Sequence, residues 1–124
     1  MFEYSLSNYP IDIVGHIFQP SIYEGLGNFT KKQQSRLIKA INKNPKHQIF
    51  VEINGNPSPS GMEKGNQRYD VDFFKKMINE KIKLTIGSDA HQREHIGIYP
   101  VDVIQELNKC GKNYLQDEIS IKNC

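Results

Sequence analysis

The order of apolar segments along this chain restricts it to few folds. Three short runs rich in Ile and Val, at residues 11–17, 48–54 and 83–91, have the length and composition of β-strands. Their apolar residues follow one another instead of alternating with polar ones, which is typical of strands buried on both faces. We therefore expect three strands in the interior of an α/β domain.

A helical pattern follows each of these runs. The first helix is predicted to begin after Thr30 and to end at Asn44–Pro45, and the second to begin after the acidic cap Asp70. The third is predicted with Pro100 at its N1 position and Gly111 at its end. Strands that alternate with helices pair in parallel through right-handed crossovers. The predicted fold is a parallel α/β sheet of about three βα units.

Length and charge limit what such a domain can do. A chain of 124 residues is one domain, and its 16 basic and 14 acidic residues form no long block of either sign. This balance argues against a nucleic-acid or membrane surface. The N-terminus has no signal-peptide pattern and no later segment is long enough to span a membrane, so we expect a soluble cytoplasmic protein.

The C-terminal segment adds two smaller expectations. Cys110 and Cys124 are expected to be reduced thiols, because two cysteines cannot supply a disulfide framework or a four-ligand zinc site. Residues 113–124 contain Ile119 and Ile121 in alternation, a pattern that predicts a short final strand.

Polar side chains stand at the end of each predicted strand. His16 ends the first, Glu52 and Asn54 end the second, and Asp89 and His91 end the third. The C-terminal ends of parallel strands lie on one rim, where active sites of α/β proteins are built. Residues two apart on a strand point to the same side, so both members of each pair can face one pocket.

This group of side chains predicts a metal site. Two imidazoles and two carboxylates suit a divalent ion of borderline hardness, namely zinc, manganese or iron. Each residue also has a structural interpretation: His16 as a hydrogen-bonded strand end, Glu52 as a salt-bridged group and Asp89 as a helix cap. Their recurrence at three equivalent positions favours the shared site.

The segments DIVGH (12–16), VEIN (51–54) and IGSDAH (86–91) resemble the second half of the PHP domain, the polymerase and histidinol phosphatase superfamily. The resemblance extends over about residues 11–111. It implies a partial (β/α) barrel of the PHP type, from a family whose distorted seven-stranded barrel holds two or three divalent metal ions on its C-terminal rim and hydrolyses phosphoesters.

The resemblance also implies roles for individual residues. His16, Asp89 and His91 match metal ligands, with Asp89 and His91 as catalytic residues. Glu52 and Asn54 match positions on the substrate side of the pocket. In the loop at residues 57–67 and just after it, Arg68 or Lys64 is expected to meet the substrate phosphate, the alternative being that this loop is only a surface excursion.

One part of the family pattern is missing. The H-x-H pair of the family's first half does not occur: beyond His16 and His91 the chain has only His47, in a polar turn, and His95, interpreted as a rim or loop residue. Residues 1–124 are therefore expected to be the C-terminal part of a metal-dependent, histidinol-phosphatase-like phosphoesterase acting on a phosphorylated small molecule. A separate N-terminal half or self-association would complete it. The alternatives are a noncatalytic remnant that acts through association and part of a PHP-type nuclease.

Overall fold

A computed structural model describes residues 2–17, 29–45, 48–55, 69–111 and 114. Within these ranges the chain is a mixed α/β structure with four α-helices, three strands and one turn of 3-10 helix. In chain order the elements are α1 (Phe2–Asn8), β1 (Ile13–Val14), α2 (Lys31–Asn42), β2 (Phe50–Asn54), α3 (Val71–Asn79), β3 (Lys83–Gly87), the 3-10 turn (Arg93–His95) and α4 (Val101–Asn108).

The three strands form a parallel sheet in the order β1-β2-β3. Val14 pairs with Val51, Glu52 with Thr85 and Asn54 with Gly87. The predicted parallel sheet and the alternation of strands and helices are confirmed, although all three strands are shorter than the apolar runs that predicted them. Because β2 is central, its C-terminal end lies between the ends of β1 and β3.

Burial differs between the two faces of the sheet. Val51, Ile53 and Leu84 are fully buried, whereas Glu52 and Thr85 on the opposite face are only partly buried. The prediction that the strands are buried on both faces is therefore wrong within the described residues. The reason is that β2 and β3 carry polar side chains at alternate positions, so only one face contributes to the hydrophobic core.

The predicted helix starts agree with the structure, with one correction. The Thr30 side chain accepts from Gln33 N–H while the Gln33 side chain accepts from Thr30 N–H, which is a capping box at α2. Asp70 caps α3 by accepting from Phe73 N–H. Pro100, however, is the N-cap of α4 and not its N1 residue.

The first helix, α1, was not predicted from the sequence. Its Leu6 belongs to the core, and its C-terminal end is attached to the chain after α2 through Asn44. The buried Asn44 amide donates to Leu6 O at 2.6 Å and to Tyr9 O at 2.7 Å. Asn44 thus follows the end of α2, as expected, but its side chain bonds to carbonyl groups in α1 and just after it.

A residue with a left-handed backbone ends α3. Lys81 has a left-handed backbone (φ 62°), with Lys81 N–H bonded to Ile78 O and Ile82 N–H to Met77 O, a Schellman arrangement with lysine in the usual glycine position.

An ion-pair cluster joins α3 to α4. Glu106 contacts Lys109 Nζ at 2.7 Å and Lys75 Nζ at 2.8 Å. The hydrogen bonds from Lys109 and then Lys75 lower the pKa of Glu106 from 4.5 to about 2, and the bond to Glu106 raises the pKa of Lys75. The cluster therefore favours the ionised carboxyl in the folded chain.

Most of the C-terminal segment lies outside the described residues, and with it the predicted final strand and Cys124. Tyr114 is described and buried, and its carbonyl accepts from Leu84 N–H of β3 at 2.7 Å. Cys110 is an exposed free thiol. None of the helices in the described ranges is long and apolar enough to cross a membrane.

Candidate functional site

The C-terminal ends of the three strands bring five predicted residues together. His16 follows β1, Glu52 and Asn54 belong to β2, and Asp89 and His91 follow β3. His16 Nε2 lies 4.0 Å from Asp89 Oδ1, although the two residues leave the sheet on opposite sides of β2. The five residues therefore converge on one rim, as the sequence predicted.

Glu52 lies at the base of this group. Its Oε2 accepts from the backbone N–H of His16 at 3.2 Å and from the side-chain amide of Asn54 at 3.2 Å. The same amide nitrogen lies 3.4 Å from His16 Nε2. The Glu52 oxygen accepts this bond, so it is the amide nitrogen of Asn54 that faces Glu52 and also lies beside the His16 ring.

His16 and Asp89 share an uncommon backbone conformation. Each has a φ of 51°, in the left-handed region that residues other than glycine seldom adopt. Both occur directly where the chain leaves the sheet beside the site. Such a conformation costs about 1 kcal/mol per residue and persists only where surrounding contacts hold it.

His91 contacts Asp89 twice. Its Nδ1 lies 2.8 Å from the backbone carbonyl of Asp89 and 3.9 Å from the carboxylate Oδ1. A carbonyl can only accept, so Nδ1 carries the proton and Nε2 of the neutral ring keeps its lone pair. The His91 side chain is 74% exposed and that of Asp89 only 20%, so the imidazole lies outermost in the group.

A glycine directly after β1 and another at the end of β3 make room for the Glu52 carboxylate. A Cβ on Gly15 would lie 3.2 Å from Glu52 Oε2, and a Cβ on Gly87 would overlap Glu52 Oε1. Sequence analysis missed this requirement. The signal was present, because Gly15 directly precedes His16 and Gly87 ends β3 two residues before Asp89.

Tyr69 fixes the end of β2 beside the site. Its buried hydroxyl donates to the carbonyl of Asn54 and lies 3.1 Å from the carbonyl of Gly55. The two described residues that flank segment 56–68 are therefore joined at the rim. Arg68, Lys64 and the loop assigned to the substrate side lie outside the described residues, so their roles stay predictions.

The donor set has the right chemistry for a divalent ion, but its members do not enclose one. Two imidazoles and a carboxylate are suitable ligands for zinc, manganese or iron. Yet in the part of the chain that the structure describes, no three His, Cys, Asp or Glu side chains are placed to hold a metal ion together. His16 and His91 each lie about 4 Å from Asp89 Oδ1, an open arrangement.

The other two histidines stand apart from this group. His47 lies outside the described residues. His95 is in the 3-10 turn after the IGSDAH segment, as the loop interpretation predicted, and its Nδ1 is buried with no hydrogen-bond partner in the structure. None of its described contacts connects it with Asp89 or His91.

Comparison of the chain with protein-family models, with curated proteins and with solved structures finds no match. An exposed imidazole with an available nitrogen beside a carboxylate can bind a cation or exchange a proton with a bound molecule.

Proposed function

We propose that this chain is part of a metal-dependent phosphoesterase of the PHP type, and that its three-stranded sheet is part of a (β/α) barrel. The observation that supports the proposal most is the convergence of His16, Asp89 and His91 at the C-terminal rim of a parallel sheet. His16 follows β1, whereas Asp89 and His91 follow β3, so the donors come from two different strand ends, as is usual for active sites of barrel enzymes.

In this proposal His16, Asp89 and His91 would hold a divalent ion, zinc, manganese or iron. Bound there, such an ion would supply a Lewis acid for a phosphoryl oxygen and an activated water. Asp89 would orient both imidazoles, since it lies between them, and the bond from His91 Nδ1 to the Asp89 carbonyl would leave Nε2 as the donor. Ligands from a separate N-terminal half, or from a second copy, would close the open arrangement.

The substrate in this proposal is a phosphate monoester of a small molecule. Glu52 and Asn54 form the floor of the rim, and Tyr69 joins both flanks of segment 56–68 to it. Arg68 directly precedes Tyr69 in the sequence, which supports its assignment to the phosphate over that of the more distant Lys64.

One observation favours a second candidate function. His16 and His91 each lie about 4 Å from Asp89 Oδ1 in an open arrangement, which is also compatible with a noncatalytic remnant that acts only through association. The two candidates differ in whether Asp89 matters for metal binding. They also differ in whether an added N-terminal half produces turnover or only a complex.

The experiment measures metal binding and hydrolysis by the purified chain. Zinc, manganese and iron binding is determined by equilibrium dialysis, and turnover is assayed with p-nitrophenyl phosphate, histidinol phosphate and a phosphodiester. We expect weak metal binding that Asp89→Ala abolishes, and little turnover until an H-x-H-bearing N-terminal half is added. Glu94→Ala is the control, because it removes an exposed carboxylate from the neighbouring 3-10 turn.

Three outcomes would change the conclusion. Metal binding that Asp89→Ala leaves intact would refute the proposed site. Turnover of the phosphodiester alone would replace the phosphatase by a nuclease. Strong turnover by the 124-residue chain without any addition, lost in Asp89→Ala, would support the chemistry and refute the need for a second half.

A further inference from the structure

Glu52 has an unusual position for a residue assigned to the substrate side. One of its oxygens, Oε2, accepts two hydrogen bonds within the described residues, from His16 N–H and from the Asn54 amide. The side chain leans along β2 toward the rim, because its oxygens reach Gly87, two residues beyond its register partner Thr85.

Within the described residues, both hydrogen bonds that Glu52 accepts connect it with His16. The first fixes the amide of a residue whose left-handed backbone needs support from outside. The second holds Asn54, whose amide nitrogen in turn lies 3.4 Å from the His16 ring. His16 is thus attached to one carboxylate oxygen at its backbone directly and at its ring through Asn54.

We propose that Glu52 is a positioning residue for His16 and does not contact the substrate. The left-handed conformation at His16 sets the direction of its imidazole, and the hydrogen bond from its N–H to Glu52 holds that conformation. Gly15 and Gly87 are small because the carboxyl has to lie between the flanking strands. The inference rests on the proposed function only where it concerns metal binding.

Two conservative variants separate position from charge. In Glu52→Gln a carbonyl oxygen can take the place of Oε2 and accept both hydrogen bonds, while the negative charge is lost. In Glu52→Asp the charge is kept, but the side chain is one methylene shorter and no longer reaches His16 N–H. A positioning role predicts that Glu52→Gln keeps the protection of the His16 amide and the metal affinity, and that Glu52→Asp loses both. A direct electrostatic contact with a metal ion or substrate predicts the reverse.

The first measurement uses the metal-free chain. Amide hydrogen exchange of His16 by NMR should be about tenfold faster in Glu52→Asp than in the wild type, because a hydrogen bond to a charged acceptor is lost. In Glu52→Gln it should change by less than about threefold, because a neutral acceptor remains. Equal exchange rates in wild type and Glu52→Asp would overturn the inference whatever the protein's activity.

The second measurement is zinc and manganese binding by equilibrium dialysis. Loss of a residue that orients a metal ligand weakens binding by about ten- to a hundredfold. We expect that loss in Glu52→Asp, near wild-type affinity in Glu52→Gln, and no change in the control Glu94→Ala. Weaker binding in Glu52→Gln than in Glu52→Asp would overturn the inference. Failure of Asp89→Ala to affect binding would instead refute the proposed site and leave the exchange result standing.

Discussion

Replacing Gly87 by alanine should destabilise the chain only because Glu52 is present. The backbone of Gly87 is not in the left-handed region, so alanine is compatible with its conformation. In the absence of a clash, Gly→Ala stabilises by about 0.4–1 kcal/mol, since it restricts the unfolded chain. The added Cβ, however, would overlap Glu52 Oε1.

The size of the effect follows from the hydrogen bonds that Glu52 would lose. To avoid the Cβ, the carboxyl must leave its place and release its bonds to His16 N–H and to the Asn54 amide. Overpacking of this kind costs about 1–3 kcal/mol, and the side chain is partly exposed, so the lower part of that range applies. After subtraction of the unfolded-state gain, we expect Gly87→Ala to lower the free energy of unfolding by about 1 kcal/mol.

The same substitution should have the opposite sign when Glu52 is absent. In the Glu52→Ala background the overlap no longer exists, and Gly87→Ala should raise the free energy of unfolding by about 0.4–1 kcal/mol. The coupling free energy in this double-mutant cycle is then about 1.5–2 kcal/mol. The assay is urea unfolding of the four proteins followed by circular dichroism, with the midpoints compared at constant slope.

Gly55 provides a matched control at the same rim. A Cβ there would lie 2.9 Å from Ser88 O and 3.0 Å from Gly87 O and closer still to Ile98 O. These are backbone atoms that cannot rotate away, so Gly55→Ala should destabilise by about 3 kcal/mol or more in both backgrounds. Equal effects of Gly87→Ala with and without Glu52 would refute the reasoning about the carboxyl.

Three further predictions concern the framework. Lys81→Gly should raise the free energy of unfolding, measured by urea denaturation, by about 0.5–1 kcal/mol, because lysine has an unfavourable left-handed backbone at this position. A free energy of unfolding below that of the wild type would contradict this prediction. Asn44→Ala should lower it by about 1–3 kcal/mol, measured likewise, since two carbonyl groups of α1 and the residue after it lose their donor. The lowered pKa of Glu106 favours the folded state above its unfolded pKa of 4.5, and this stabilisation is lost as the pH falls toward about 2. Thermal unfolding of Glu106→Gln should therefore depend less on pH between 4.5 and 2 than that of the wild type, and parallel profiles would argue against the lysine contacts.

Local patterns in the sequence determined the framework. The strands β2 and β3 and the helices α2 and α3 follow from apolar runs and from caps such as Thr30 and Asp70, whose hydrogen bonds span only three residues. The placement of His16 and Asp89 on one rim also follows from sequence, because parallel strands align their C-terminal ends.

Other features depended on contacts between distant residues. Helix α1 has only seven residues, too few to be stable alone, and is held by Leu6 in the core and by Asn44 from 35 to 38 positions away. The prediction of burial on both faces was wrong because a short apolar run does not reveal which residues face which side of the sheet. In the sheet, Glu52 and Thr85 lie on the less buried face.

The detailed shape of the site was decided by tertiary structure. The sequence places Glu52, His16 and two glycines near strand ends, but only the sheet register brings one carboxylate oxygen to the His16 amide. The left-handed conformations of His16 and Asp89 are unfavourable locally and exist because neighbouring strands and loops hold them. Local propensity cannot predict a conformation that it opposes, and for this reason the direction of the His16 ring was visible only in the folded chain.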